Sequence, residues 1–79
     1  MTLEQKATIM SLFNAALGDE LKAEEGMDRA QKDRTWSKCA NDHSFALGRQ
    51  SAIDSMLDAL GYTLIRNDEG YAVDIAEQE

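Results

Sequence analysis

A chain of 79 residues with a formal net charge of −7 makes one domain at most, and a domain this short buries only about 60% of the surface of its unfolded chain. Its lone Cys39 excludes an internal disulfide, and one cysteine with one histidine is too few for a zinc site built from those residues, so we expect neither a metal nor another cofactor. Its 15 acidic residues against 8 basic ones argue against nucleic-acid binding, which needs Lys and Arg to replace the counterions around phosphate.

The N-terminal segment lacks the features of a targeting signal. Residues 1–17 carry Glu4 where a signal has basic residues, and no apolar run there is longer than three residues. The same pattern excludes a membrane span. Without a disulfide or an export signal, the expected location is the cytoplasm, which would be that of the host cell if the chain is phage-encoded.

The first predicted element is a helix over about 3–25. Thr2 is a good N-cap and Gln5 follows three residues later, which is the capping-box spacing. The apolar residues that follow recur at threes and fours. They are Leu3, Ala7, Met10, Phe13, Leu17 and Leu21, with Ile9, Leu12 and Ala16 beside them. This pattern predicts a helix that is covered on a broad face.

A second helix is predicted to run to about residue 60 and to end at Gly61, which suits a left-handed C-cap. Its apolar residues are Phe45, Ala46, Leu47, Ile53, Met56, Leu57 and Leu60. Two signals place the turn between the helices within 26–35: Gly26 followed by Asp28 suggests an early turn, and pairing of the apolar stretches centres it near Gln31. We expect the first helix to pack tightly against a stripe of small residues on the second, at Ser44, Gly48, Ala52, Ser55 and Ala59.

The last predicted element is a β-hairpin over about 62–76. Asn at the first and Gly at the fourth position of residues 67–70 suit a type I turn closed by a glycine bulge. This turn would place Ile65 opposite Val73 and Thr63 opposite Ile75. Ile65, Val73 and Ile75 should then face the helices.

Together these elements predict a single domain over 1–79 of the α+β class, mainly α: an antiparallel helical hairpin followed by a C-terminal two-stranded β-hairpin. A lone hairpin is marginal in water and leaves two strand edges unpaired. We therefore expect a homodimer that merges either the hairpins into one sheet or the helix pairs into a four-helix bundle.

Few residues of the sequence offer catalytic chemistry. Cys39 and His43 are four residues apart and would share a helix face, where they could form a thiolate-imidazole pair or two metal ligands. Two ligands do not make a metal site, and we interpret them as a part-buried cysteine and a polar histidine near the contact between the helices. Two acidic pairs are also four apart, Glu20 with Glu24 and Asp54 with Asp58, and we assign them to exposed helix faces on which no histidine converges. The chain is expected not to be an enzyme.

Two groups of charged residues are candidate binding surfaces. We do not expect either of them to bind a membrane. The acidic lobe comprises Asp54, Asp58, Asp68, Glu69, Asp74 and Glu77, and residues 50–79 contain only one base, Arg66. The basic tip comprises Arg29, Lys32, Arg34, Trp36 and Lys38. An acidic surface favours a basic protein partner, whereas cations around a tryptophan suit single-stranded nucleic acid, a nucleotide or an acidic protein groove.

The leading hypothesis is a small inhibitor or adaptor that binds a larger, possibly nucleic-acid-binding, protein through the acidic lobe or the basic tip. The alternatives are a nucleic-acid or nucleotide binder that uses the basic tip and a purely structural dimerisation module. In size, charge and order of elements the chain resembles short accessory proteins of phages and mobile elements, including anti-CRISPR proteins. That resemblance implies an anti-defence inhibitor. It involves no residue motif and therefore assigns no site residue.

Overall fold

The computed structural model describes residues 1–30 and 34–78, without the side chains of residues 30, 34 and 35. It contains helix α1 (Leu3–Ala30), helix α2 (Arg34–Ala59) and strands β1 (Tyr62–Arg66) and β2 (Ala72–Glu77). The helices pack on each other, and the strands form an antiparallel two-stranded sheet that contacts both helices. The predicted fold class, a helical hairpin followed by a β-hairpin, is confirmed.

Local signals at the start of α1 and at the end of α2 act as the sequence predicts. Thr2 Oγ1 accepts the backbone N–H of Gln5 at 3.1 Å, and Gln5 Oε1 accepts that of Thr2 at 3.0 Å, which completes the capping box. Gly61 follows α2 with a φ of 84°, a conformation that glycine adopts without strain. The first helix is longer than predicted, because it continues through Gly26 and Asp28 to Ala30.

The turn that was predicted within 26–35 therefore does not begin at Gly26. Since α1 ends at Ala30 and α2 begins at Arg34, the connection falls on residues 31–33, and its conformation lies outside the described residues. Gln31, around which the second alternative centred the turn, is one of these residues.

The turn of the β-hairpin is confirmed. Gly70 N donates to Asn67 O at 3.0 Å, Asn67 N donates to Tyr71 O at 2.9 Å, and Gly70 has a φ of 93°. Arg66 then pairs with Ala72, as this turn requires. Beyond that pair the predicted register is wrong, because a bulge makes Asp74, not Val73, the partner of Ile65. Thr63 likewise pairs with Ala76 rather than with Ile75.

The bulge decides which strand residues face the helices. An extra residue in one strand reverses the faces of all residues beyond it. Ala72 and Ile75, three apart, are both buried, whereas Ile65 and Val73 are exposed on the outer surface. Of the three strand residues predicted to face the helices, only Ile75 does so.

The core lies where the hairpin meets the two helices. Its largest fully buried side chains are Phe13 from α1, Leu57 from α2 and Ile75 from β2. The Arg66 guanidinium carbon lies 4.9 Å from the centroid of the Phe13 ring, so the aliphatic and cationic parts of Arg66 cover this core. The remaining buried apolar residues are Ala16, Leu17, Ala23, Ala46 and Ala72.

The hairpin is much shorter than the helices. A helix of 28 residues is about 42 Å long, and strands of five and six residues span about 17–20 Å. Hairpin contacts with α1 include Lys6, which pairs with Asp74, and Leu17, against which Gly70 packs. The hairpin therefore covers the half of the helix pair that carries the N-terminus of α1, and the other half consists of two helices alone.

The two helices approach each other closely at Gly26. A Cβ added there would lie 2.6 Å from Cys39 Sγ, whereas one added at Gly48 would meet no described atom within 4 Å. The small-residue stripe of α2, which includes Gly48, is exposed along its length. The prediction that Gly48 packs against α1 is therefore wrong, and Gly26 has this role.

Alanine substitutions at these two glycines should have opposite effects. Gly48→Ala should raise the free energy of unfolding by about 0.5–1 kcal/mol, because alanine loses less backbone entropy in a helix. Gly26→Ala should lower it by about 1–3 kcal/mol, because the added methyl group pushes against Cys39. Because Cys39→Ala removes the sulfur atom, adding Gly26→Ala to the Cys39→Ala variant should lower the free energy of unfolding much less than Gly26→Ala lowers it in the wild type. Urea denaturation measures all four, and equal stabilisation by both glycine variants would contradict this assignment.

Candidate functional site

The helix pair exposes a group of large apolar side chains that we call the open helical face. It consists of Leu12 on α1, Phe45 and Met56 on α2, and Leu60, the first residue after α2, which are between 44% and 70% exposed. Large apolar side chains grouped on one surface are typical of protein-binding sites. The open helical face is therefore the first candidate interaction surface.

Helix geometry places this face on the side away from the hairpin. Asp54 and Asp58 of α2 contact Arg66 and Gln78 of the hairpin region, and Met56 lies two residues from each of them, about 200° around the helix. Phe45 precedes Met56 by about three turns and shares its side. On α1, Asn14 contacts the hairpin. Leu12 lies two residues before Asn14, about 200° around the helix, and therefore on the side away from the hairpin.

Two grooves between the helices contain residues of the open helical face. One is lined by Met56 and Leu60 together with Ile9 of α1 and Tyr62. The other is lined by Phe45, Cys39 and an ion pair in which Arg49 Nη1 lies 2.7 Å from Asp19 Oδ2. The apolar side chains are thus bordered by charges of both signs.

The structure distributes the acidic lobe along the hairpin and the adjoining part of α2 instead of gathering it into one cluster. Asp54 pairs with Arg66 at 3.4 Å and Asp74 with Lys6 at 3.9 Å, and Asp58 accepts from Gln78. The other three carboxylates are exposed and have no ion pair within the described residues. They are Asp68 and Glu69 in the turn and Glu77 at the opposite end of the hairpin, paired in register with Tyr62.

The basic tip is described only in part. Arg29 Nη2 lies 2.6 Å from Glu25 Oε1, so a carboxylate on the same helix offsets its charge. Trp36 and Lys38 are exposed on the first turns of α2. Lys32 and the side chain of Arg34 lie outside the described residues. Binding of nucleic acid or a nucleotide at this tip stays a prediction from the sequence.

A polar cluster joins the helices in the half without the hairpin. His43 Nε2 of α2 lies 3.0 Å from Glu24 Oε1 and 3.9 Å from Glu20 Oε2, both of α1. The buried Gln50 donates to Glu20 Oε1 at 2.9 Å. The prediction that no histidine converges on Glu20 and Glu24 is therefore wrong, because it considered each helix alone. The predictions of a part-buried Cys39 and of a His43 near the contact between the helices are confirmed.

Asn14 is a structural residue that the sequence did not reveal. Its Nδ2 donates to Ala72 O at 3.1 Å and its Oδ1 accepts Ala72 N–H at 2.7 Å. One amide side chain thus satisfies both backbone groups of a residue at the outer edge of β2. A signal existed in the sequence, since a lone asparagine next to the buried stripe of a helix needs a partner.

Comparisons of this chain with protein-family models, with curated proteins and with solved structures gave no match. Neither described helix is long and apolar enough to cross a membrane.

Proposed function

We propose that this chain is a small, acidic, non-catalytic protein-binding module of the cytoplasm that acts as a homodimer. The observation that carries the proposal is the open helical face. Burying apolar surface contributes about 25 cal/mol per Å², and this domain leaves four large apolar side chains exposed on one side of a helix pair. Two such pairs joined by a twofold axis would form a four-helix bundle with both hairpins outside.

The acidic lobe supports a partner of opposite charge. Asp68, Glu69 and Glu77 are exposed carboxylates without an ion pair in the described part of the chain, so a basic protein surface could approach them without displacing an internal base. Charges in such an arrangement steer association. A nucleic-acid-binding target would fit, with carboxylates in the positions of phosphates. This is the mode of action that we propose for an anti-defence inhibitor or adaptor.

The dimer is tested by two substitutions two residues apart on α2. Phe45→Gln removes the most exposed side chain of the open helical face, at 70%. A twofold dimer contains this change twice, so we expect a loss of roughly 3 kcal/mol, or about 100-fold in the dissociation constant. Leu47→Gln is the matched control, because Leu47 is also exposed but lies about 200° from Phe45 around the helix.

Sedimentation equilibrium over a range of micromolar concentrations measures this effect, with far-UV circular dichroism to confirm that each variant is folded. The proposal requires a wild-type dimer, a weakened Phe45→Gln variant and an unchanged Leu47→Gln variant. A wild-type chain that sediments as a monomer at every concentration would remove the dimer. Equal weakening by both variants would move the interface away from the open helical face.

The acidic lobe is tested by neutralising its three unpaired carboxylates without changing their shapes, as Asp68→Asn/Glu69→Gln/Glu77→Gln. We expect proteins captured from an extract of the native host to be released as salt rises, because screening weakens exposed charge pairs. The triple variant should capture them several-fold less. The control Glu4→Gln/Asp28→Asn/Asp42→Asn changes the net charge equally at other exposed sites. Equal capture by both triple variants would exclude the acidic lobe as the docking surface.

A further inference from the structure

We propose that Glu20, Glu24 and His43 form a binding site for one divalent transition-metal ion, which would join α1 to α2. One ligand atom from each residue lies within 4.8 Å of the other two. Ligands at about 2.1 Å from a tetrahedral zinc ion are separated by about 3.4 Å. The observed separations of 3.0 Å and 3.9 Å from His43 Nε2 to the two carboxylates bracket that value. Small side-chain rotations would therefore admit an ion.

The charge of the cluster favours a cation. The side chains of Glu20 and His43 are only 14% and 22% exposed, and within the described residues neither Glu20 nor Glu24 pairs with a lysine or an arginine. Two carboxylates therefore share one imidazole, which carries at most a single positive charge. Glu24 is half exposed to water, whereas the shielded Glu20 has only His43 and Gln50 as partners. Charge in a shielded position favours a nearby counter-charge, which a divalent ion would supply.

Gln50 gives the cluster the character of a built site. Its buried side chain donates to Glu20 Oε1 at 2.9 Å, which leaves Glu20 Oε2 directed toward His43. Outer partners that orient a ligand in this way commonly accompany metal sites and affect metal affinity by about 10- to 100-fold. We assign Gln50 as a positioning residue for the Glu20 carboxylate.

The ligand set indicates the class of ion. An imidazole nitrogen with two carboxylates suits Zn²⁺ and neighbouring first-row ions, whereas Mg²⁺ and Ca²⁺ prefer oxygen ligands only. Three protein ligands leave a further position for water. The site lies in the half of the helix pair that the hairpin does not cover, so a bound ion would join the two helices where the sheet does not support them. It is separate from the open helical face and the acidic lobe, and its test is independent of theirs.

The test is a titration of the full chain with Zn²⁺ by isothermal titration calorimetry, repeated with Co²⁺ by visible absorption. We expect one ion per chain, and a thermal unfolding midpoint that rises by roughly 10–20 °C at 100 times the dissociation constant. His43→Ala and Glu24→Gln should each weaken binding by roughly 100-fold or more, and Gln50→Met by about 10-fold. Glu24→Gln preserves the shape of a half-exposed side chain, so it keeps the test valid if His43→Ala unfolds.

Two controls separate this site from adventitious binding. Glu25→Gln changes the same charge one residue away on the outer surface of α1, and Cys39→Ser removes the lone thiol. Both should retain wild-type affinity, and Mg²⁺ should produce no shift in unfolding. Absence of Zn²⁺ binding below millimolar concentration would overturn the proposal. Binding that survives His43→Ala, or that is lost in Cys39→Ser, would overturn it equally.

Discussion

Replacing Leu57 by alanine should lower the free energy of unfolding by about 3–5 kcal/mol, a large part of the stability of a domain this small. Leu57 is 1% exposed and belongs to the core between the helices and the hairpin. Its truncation would remove apolar contacts and leave a cavity that two long helices and a sheet cannot readily close. We expect cooperative unfolding to begin well below the wild-type temperature.

Leu3→Ala is the matched control, because it makes the same chemical change on a helix at a position that is 85% exposed. We expect its effect to stay within about 0.5 kcal/mol. Thermal and urea unfolding followed by circular dichroism at one protein concentration measure both variants. Similar losses from the two substitutions would mean that the core is not where the structure places it, or that Leu3 is buried in an assembly.

Asn14→Ala should have the second-largest effect, a loss of about 2–3 kcal/mol of unfolding free energy. The substitution would leave the N–H and C=O groups of Ala72 without the partners that Asn14 supplies, and an unpaired polar group away from water costs about 1–3 kcal/mol. Because Asn14 is only partly buried, we expect the loss of unfolding free energy to be smaller than the sum of the full costs of two unpaired groups.

Hydrogen exchange gives this prediction a local readout. The Ala72 amide should exchange faster in Asn14→Ala than in the wild type, because its hydrogen bond is lost. Asn41→Ala, at an exposed position of α2, should leave both stability and the Ala72 amide unchanged. An unaltered exchange rate in Asn14→Ala would show that the strand edge does not depend on this side chain.

Features of the fold that depend on a few neighbouring residues were predictable. The capping box of Thr2 and Gln5, the C-cap at Gly61 and the turn closed by Gly70 each involve groups within about four residues. Such hydrogen bonds and backbone conformations form whatever the rest of the chain does. The order of the elements follows from the same local signals and from the apolar periodicity.

The strand register was not predictable to the same degree. Strict alternation favours Val73 and Ile75 on one face, but the bulge turns Val73 outward and buries Ala72 instead. A small residue there lets the strand approach α1 closely enough for Asn14 to bond to it. These hydrogen bonds join residues that are 58 positions apart in the sequence, so no local sequence pattern indicates them.

The same distinction applies to the candidate sites. One cysteine and one histidine are too few for a zinc site built from those two residue types. Carboxylates are also possible ligands, and the packing of the two helices brings two of them next to His43. The pattern of α1 alone indicates that Glu20 and Glu24 are exposed. In the folded chain, however, α2 covers Glu20 with His43 and Gln50. The open helical face was equally hidden, since Phe45 and Met56 had the spacing of core residues.

The amino-acid sequence by itself determined the two helices, the N-cap of α1, the C-cap of α2, the β-hairpin turn, the excess of acid after residue 50 and the small size of the core. Only the tertiary structure decided which apolar residues the short hairpin covers, which it leaves exposed, and which polar groups meet between the helices. The physical reason is one of range. Caps, turns and periodicity are properties of residues a few positions apart, whereas burial depends on which surfaces the folded chain brings together.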